Sequence, residues 1–350
     1  MSIEKIISQI QPLDQSAMRS ARARQGMLTK PHGSLGRLEE LSIQLAGITG
    51  KSIPVIKDKV IITMAGDHGV VAEGVSAYPQ EVTPQMVLNF LAGGAAINVL
   101  ARHVNARVVI VDMGVAEDIP ANEGLIVKKV AYGTADMTKG PAMTRAQALE
   151  SILNGAQVVE QEIRRGLDLV GTGDMGIGNT TPSAAIACAL TKRPPKEMAG
   201  RGTGLDDGGL RRKISAIERA LDVNRPDPND GLGVLAKVGG FEIGGLAGVM
   251  LGAASQRKPV MVDGFISTAA AMIAVSIAPQ CRDYLIAAHQ SKENGHGIML
   301  EWLRLKPLLD LDMRLGEGTG AALGISMAEA ACKILAEMAT FGEAGVSEKE

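Results

Sequence analysis

Three glycine-framed segments hold most of the residues able to do chemistry in this chain. They are Gly171-Thr-Gly-Asp-Met-Gly176, Gly200-Arg-Gly-Thr-Gly204 and Leu315-Gly-Glu-Gly-Thr-Gly320. Backbone N–H groups freed at tight turns and helix starts point at anions, and the helix dipole adds to the attraction. Lys213 and Arg314 stand close by in sequence and can add full positive charge. Three such loops together favour a phosphate ligand, although any single one reads equally well as a plain turn. Glu317, flanked by glycines and near the apolar Leu315, has the character of a general base, because a carboxylate in a partly dry pocket binds its proton more tightly. The same residue also suits a helix N-terminus for purely electrostatic reasons.

Gly171 to Gly176 matches the dinucleotide fingerprint G-x-G-x-x-G, and we expect it to be a loop directly after a strand. The acidic residue that should follow about 20 positions on falls in Thr191-Lys-Arg-Pro-Pro-Lys-Glu197, which does not end a strand. The loop therefore reads as a phosphate cradle without a dinucleotide. Asp174, Asp263 and Asp67-His68 also sit at expected strand ends, and Asp67-His68 reads as a hydrogen-bonded structural pair. His289 and His296 lack zinc-ligand spacing, so neither a metal nor another cofactor is expected. No strand ends in the paired acids that hold ribose and magnesium in many pyrophosphate-dependent transferases, which argues against such a donor.

These groups need a scaffold. Leu38, Leu41, Leu45 and Ile48 recur at helical spacing after a turn at 30–36, so residues 1–50 read as helical. Short apolar strands are expected at 59–64, 107–112, 167–170, 259–263, 284–288 and 311–315. Helices are expected over 83–103, 144–166 and 320–338, and the chain ends in the charged tail 347–350. Apolar strands alternating with helices indicate an α/β fold: a mostly parallel, Rossmann-like sheet with helices on both faces. We divide it as 1–50, an N-terminal helical segment; 51–317, a large nucleotide-binding domain; and 318–350, a helix joining the first segment in a small helical domain.

Composition narrows the class. There are 42 glycines among 350 residues (12%), against a usual share of about 7%, which fits tight functional loops or close helix packing. A net charge of −2 and the lack of a long basic run argue against a nucleic-acid partner. Cys188, Cys281 and Cys332 are dispersed in apolar settings and read as reduced thiols. The first residues lack an apolar signal core, and the apolar stretch 265–279 is too short for a membrane helix. A cytoplasmic protein without a membrane partner is expected.

Several longer motifs, taken in order, resemble one family. They are Thr29-Lys-Pro-His-Gly-Ser-Leu-Gly-Arg-Leu-Glu-Glu40, Gly66-Asp-His-Gly-Val-Val-Ala-Glu-Gly-Val75 and Gly93-Gly-Ala-Ala-Ile-Asn98. Further on come Gly176-Ile-Gly-Asn-Thr-Thr181, Gly200-Arg-Gly-Thr-Gly-Leu205, Val262-Asp-Gly-Phe-Ile-Ser-Thr268 and Leu315-Gly-Glu-Gly-Thr-Gly320. The chain resembles the nicotinate-nucleotide–dimethylbenzimidazole phosphoribosyltransferases over nearly its whole length. The resemblance implies transfer of ribose 5-phosphate from nicotinate mononucleotide to 5,6-dimethylbenzimidazole in cobalamin biosynthesis, by a homodimer. It places the catalytic glutamate on Glu317, with Asp174 as a second candidate where a glutamate is expected in relatives. Phosphate and nucleotide contacts would fall on Gly176, Ile177, Asn179, Gly202, Lys213, Gly264, Ser291 and Arg314. Tyr78, Gln85 and Leu315 are the candidates for the planar acceptor. An NAD-dependent oxidoreductase and a non-catalytic nucleotide-binding protein are the competing readings.

Overall fold

The computed structural model describes residues 2–347; positions 348–350 of the charged tail lie outside the described residues. Six strands form one wholly parallel sheet: β1 (Lys59–Gly66), β2 (Ala106–Gly114), β3 (Leu125–Val127), β4 (Leu169–Met175), β5 (Val260–Val262) and β6 (Leu285–Ala287). Their order is β3-β2-β1-β4-β5-β6. The direction of winding reverses between β1 and β4, and in sheets of this kind the ligand crevice opens beyond the carboxyl ends at that reversal.

The strands read as continuous apolar runs because both faces are covered. Val60, Ile62 and Met64 join the core beneath helices Arg145–Arg164, Phe241–Ser255 and Phe265–Ile277. Ile61 and Ala65 point the other way, toward Arg37–Thr49, Val82–Leu91, Ala96–His103 and Thr319–Glu337. Much of the glycine excess serves this packing. A Cβ on Gly155 would lie 1.8 Å from the Gly245 carbonyl oxygen, so helices Arg145–Arg164 and Phe241–Ser255 meet backbone to backbone.

The terminal segments pack together as well as onto the sheet. Ala17, Ala21, Ala46 and Leu335 share a small cluster, and Leu28 bridges Thr340, while Ala321, Ala322 and Ile325, on the same helix Thr319–Glu337 as Leu335, belong to the sheet core. Two helical stretches, 82–103 and 319–337, are apolar and long enough to cross a membrane by length and composition. The first is interrupted at Gly93–Gly94, and the second is largely seated on the sheet and the N-terminal helices.

Three expectations about elements need correction. The single helix at 83–103 is two, Val82–Leu91 and Ala96–His103, because Gly93 takes a left-handed φ of 78° and breaks the run. The strand expected at 311–315 is instead the short β8 (Leu309–Asp310), paired with β7 (His289–Gln290) in a separate small sheet. Most consequentially, Gly171 to Asp174 are not a loop. They continue β4 and pair with Ile61 to Met64 of β1, so no phosphate cradle forms there.

Candidate active site

The carboxyl ends of β1, β4 and β5 together build the seat for Glu317. Thr63 Oγ1 donates to the Glu317 carbonyl oxygen at 2.9 Å from β1. Gly173 of β4 lies directly beneath it; a Cβ there would stand 2.2 Å from that same oxygen. Asp263, just past β5, accepts from the Gly318 and Ala321 N–H groups at 3.2 and 2.8 Å and so holds both the loop and the start of the last helix. Gly316, Glu317 and Gly318 have φ of 86°, 63° and 99°. Two of these three left-handed residues are glycines, which adopt it freely; Glu317 alone bears a strained backbone, the kind of cost that persists where the surroundings over-determine it.

The Glu317 carboxylate turns into the fold and is 6% exposed. Its Oε2 accepts from the Ile97 N–H at 3.3 Å, at the start of helix Ala96–His103. Burial raises its proton affinity, that amide opposes the rise, and the Asp263 carboxylate adds to it. The net effect moves the group toward the range in which a carboxylate works as a base near neutral pH.

Asp174 lies at the end of β4, buried, with Oδ2 accepting from Asn179 Nδ2 at 3.0 Å and Oδ1 without a partner. Burial, then Asp263, raise its proton affinity well above the ordinary value; the Asn179 bond opposes this and Glu242 and Glu317 reinforce it. Carboxylates crowded into a dry site cannot all ionise, and Asp174 is the one pushed well toward its protonated form. Asp67 and His68 do not pair with each other as expected. Asp67 Oδ2 accepts from the Ala116 N–H, whereas His68 Nε2 meets Glu242 Oε1 at 2.9 Å in full burial. Burial disfavours the imidazolium, but Glu242 outweighs it and raises the proton affinity of His68.

Beside this acidic floor is a basic, glycine-lined wall. A small cavity is bounded by Gly176, Ile177, Asn179, Thr180 and Gly202. Gly202, at φ 53°, brings its backbone against Thr180 and Lys213. Lys213 is wholly buried and donates to Thr180 Oγ1 at 2.8 Å and to the Gly200 carbonyl at 3.1 Å. Burial, only partly offset by Glu293, brings its ammonium down to about 8. Arg314 donates to the Gly202 carbonyl at 2.8 Å, and a neighbouring cavity of about 450 Å³ is lined by Gly202, Lys292, Glu293 and Arg314. Gly264 and Ser291 complete the ring: a Cβ on Gly264 would stand 3.8 Å from that of Ser291.

Short contacts join these residues in groups: Asp174 to Asn179, Gly202 to Lys213 and Arg314, and Gly264 to Ser291, with Glu317 seated by Thr63, Gly173 and Asp263 at the strand ends. Gly176 and Ile177 share the small cavity with Asn179 and Gly202. The acceptor candidates are not gathered with them. Tyr78 is 51% and Leu315 58% exposed, and Gln85 also faces solvent. Residues the sequence reading passed over include Thr63, Thr180, Glu242 and Glu293. Asp263 had a signal in its strand-end position, but Glu242, 174 positions from His68, had none. Among the described residues no group of three or more His, Cys, Asp or Glu side chains is arranged to hold a metal ion. With Gly171 to Asp174 inside a strand, the basis for a dinucleotide site disappears too.

Residues 10–346 match a family model described as Phosphoribosyltransferase. The chain is 60% identical over 347 residues to the nicotinate-nucleotide–dimethylbenzimidazole phosphoribosyltransferase of Chloroflexus aurantiacus, covering 99% of each chain. It is 61% identical to the same-named protein of Roseiflexus sp., covering 99% of this chain and 98% of that one. Among solved structures, the nicotinate-nucleotide–dimethylbenzimidazole phosphoribosyltransferase of Thermus thermophilus superposes with a TM-score of 0.92 at 47% identity, covering 96% of this chain and 100% of that one. The chain belongs to the nicotinate-nucleotide–dimethylbenzimidazole phosphoribosyltransferase family.

Proposed function

We propose that the chain transfers the ribose 5-phosphate of nicotinate mononucleotide to 5,6-dimethylbenzimidazole, giving α-ribazole 5′-phosphate and nicotinate, with Glu317 as general base. The observation that carries the assignment is the Glu317 carboxylate, buried at the winding reversal of the sheet with its proton affinity raised and its backbone pinned by groups at β1, β4 and β5. The family membership supports the reaction.

The chemistry needs little more than such a group. Nicotinate bonded to C1′ is a pyridinium and leaves with the bonding electron pair as neutral-ring nicotinate, so no strong acid is required to expel it. One benzimidazole nitrogen attacks C1′ from the opposite face, which converts the β donor to an α product. The other ring N–H then passes its proton to Glu317, and the product leaves uncharged at the base. Asp174, whose ionised form burial and Asp263 disfavour, is not assigned the proton transfer. Lys213, Arg314, the backbone at Gly176, Gly202 and Gly264, and the Ser291 hydroxyl hold the phosphate and sugar, placing C1′ for in-line attack and removing part of the entropic barrier. Ile177 and Asn179 shape the nucleotide side. We further propose a cytoplasmic homodimer working in cobalamin biosynthesis, with sedimentation testing the dimer.

The test follows nicotinate release from nicotinate mononucleotide with and without dimethylbenzimidazole. Acceptor-dependent release is expected. Binding of the nucleotide with no release to any benzimidazole or purine-like acceptor would leave only a binding protein.

A further inference from the structure

His296 is buried, starts a helix and touches two of the segments gathered around the phosphate wall. Its Nδ1 lies 2.8 Å from the Ser291 backbone nitrogen, and its Nε2 lies 2.8 Å from Thr268 Oγ1. Thr268 Oγ1 in turn lies 2.7 Å from the Gly264 carbonyl oxygen.

The donors and acceptors permit only one direction. A backbone N–H can only donate, so His296 Nδ1 must be the unprotonated, accepting nitrogen. A carbonyl can only accept, so the Thr268 hydroxyl hydrogen points at Gly264. Thr268 Oγ1 then receives the proton-bearing Nε2. From this geometry we infer that His296 is a positioning residue, a neutral imidazole with its proton on Nε2, relaying Ser291 N–H to His296, to Thr268, to Gly264 C=O and thereby locking the two phosphate-bearing segments together. This deepens the proposed function and rests on it for the identity of the phosphate.

Two consequences follow from the relay. The Ser291 N–H is consumed internally, so what Ser291 offers a phosphate is its hydroxyl, whose oxygen already accepts the Glu293 N–H at 3.3 Å. The ring also adds no positive charge to the wall, leaving Lys213 and Arg314 to supply it. Burial, helped by nearby His289, pushes the proton affinity of His296 down to about 3, in keeping with a neutral ring.

The test has two arms. Nitrogen-15 NMR of histidine-labelled wild-type protein at pH 7.5 should show His296 as the Nε2–H tautomer; an Nδ1–H tautomer or an imidazolium would overturn the relay. In the second arm, Thr268→Val keeps the shape and removes the hydroxyl, whereas Thr268→Ser keeps the hydroxyl. T268V should raise KM for nicotinate mononucleotide, and Ki for inorganic phosphate, about tenfold. Its kcat should stay within about twofold of wild type, as expected when only uniform binding is lost. T268S should behave like wild type. A fall in kcat at unchanged KM, or T268S matching T268V, would refute a positioning role. A T268V chain that failed to fold leaves the decision to the wild-type spectrum. If the wild type releases no nicotinate, the proposed function fails, while the tautomer and direct phosphate affinity still judge the relay.

Discussion

Glu317→Gln separates the base from its surroundings better than any other single change. Glutamine has nearly the same shape and keeps an oxygen to accept the Ile97 N–H now bonded at 3.3 Å, so the loop and its neighbours have no reason to move. What disappears is basicity. A positioned base is worth about 10²–10⁴ in rate, and the structure favours at least the middle of that range. The neighbouring carboxyl, Asp174, has its proton affinity raised well above normal by burial and by Asp263, so its ionised form, the one that could take over, is disfavoured. We expect kcat to fall about 10³-fold, or ~4 kcal/mol of transition-state stabilisation, with KM for nicotinate mononucleotide nearly unchanged.

The pH profile carries a second signature. Because burial raises the Glu317 pKa above its ordinary 4.5, wild-type kcat should fall as pH drops through that raised value, and the glutamine variant should lose this limb. Stability should change in the opposite sense. A carboxyl whose folded pKa is raised favours the folded state least once it is ionised, at pH above the folded value. The glutamine variant should therefore melt higher than wild type at pH 7.5, and the gap should close as pH falls toward 4.5. Steady-state nicotinate release across pH 5–9, with thermal melts on the same samples, measures all of this. Undiminished turnover in the variant would refute the base assignment, and a lower melting temperature at pH 7.5 would refute the buried-charge argument.

The other predictions test the scaffold and the phosphate wall. Gly173→Ala would place a Cβ 2.2 Å from the Glu317 carbonyl oxygen; we expect a loss of roughly 1–3 kcal/mol in denaturant unfolding and a lower kcat, and wild-type behaviour would contradict the described seat. Lys213, with its ammonium brought down to about 8, should lose charge in mildly alkaline solution, so KM for nicotinate mononucleotide should rise between pH 7 and 9. Lys213→Met should show a high KM that no longer varies over that range. Cys188, Cys281 and Cys332 are buried, with burial pushing each thiol up to about 12, so a thiol reagent should label them only after denaturation.

The parallel sheet was readable from the chain because strands buried on both faces leave an unmistakable apolar run, as at 59–64 and 107–112, and because β-α alternation permits few topologies. Glu317 was readable as well, since a lone carboxylate between glycines is a local pattern. The sequence could not tell whether Gly171 to Gly176 is a loop or a strand. Glycines that open space for a ligand look the same in one dimension as glycines that open space for backbone, and only the approach of the Glu317 carbonyl onto Gly173 decides between them. The charge states were likewise beyond it. Burial, with Asp263, Glu242 and Glu317, favours the protonated form of Asp174, while Glu242 favours the charged form of His68. These partners are far apart in sequence and meet only where the strands end. Residue type and local spacing thus determined the scaffold and singled out Glu317 as a candidate base. Proton affinities, and which glycines face a ligand, were decided by the tertiary structure, because burial and through-space charge have no local signature in the chain.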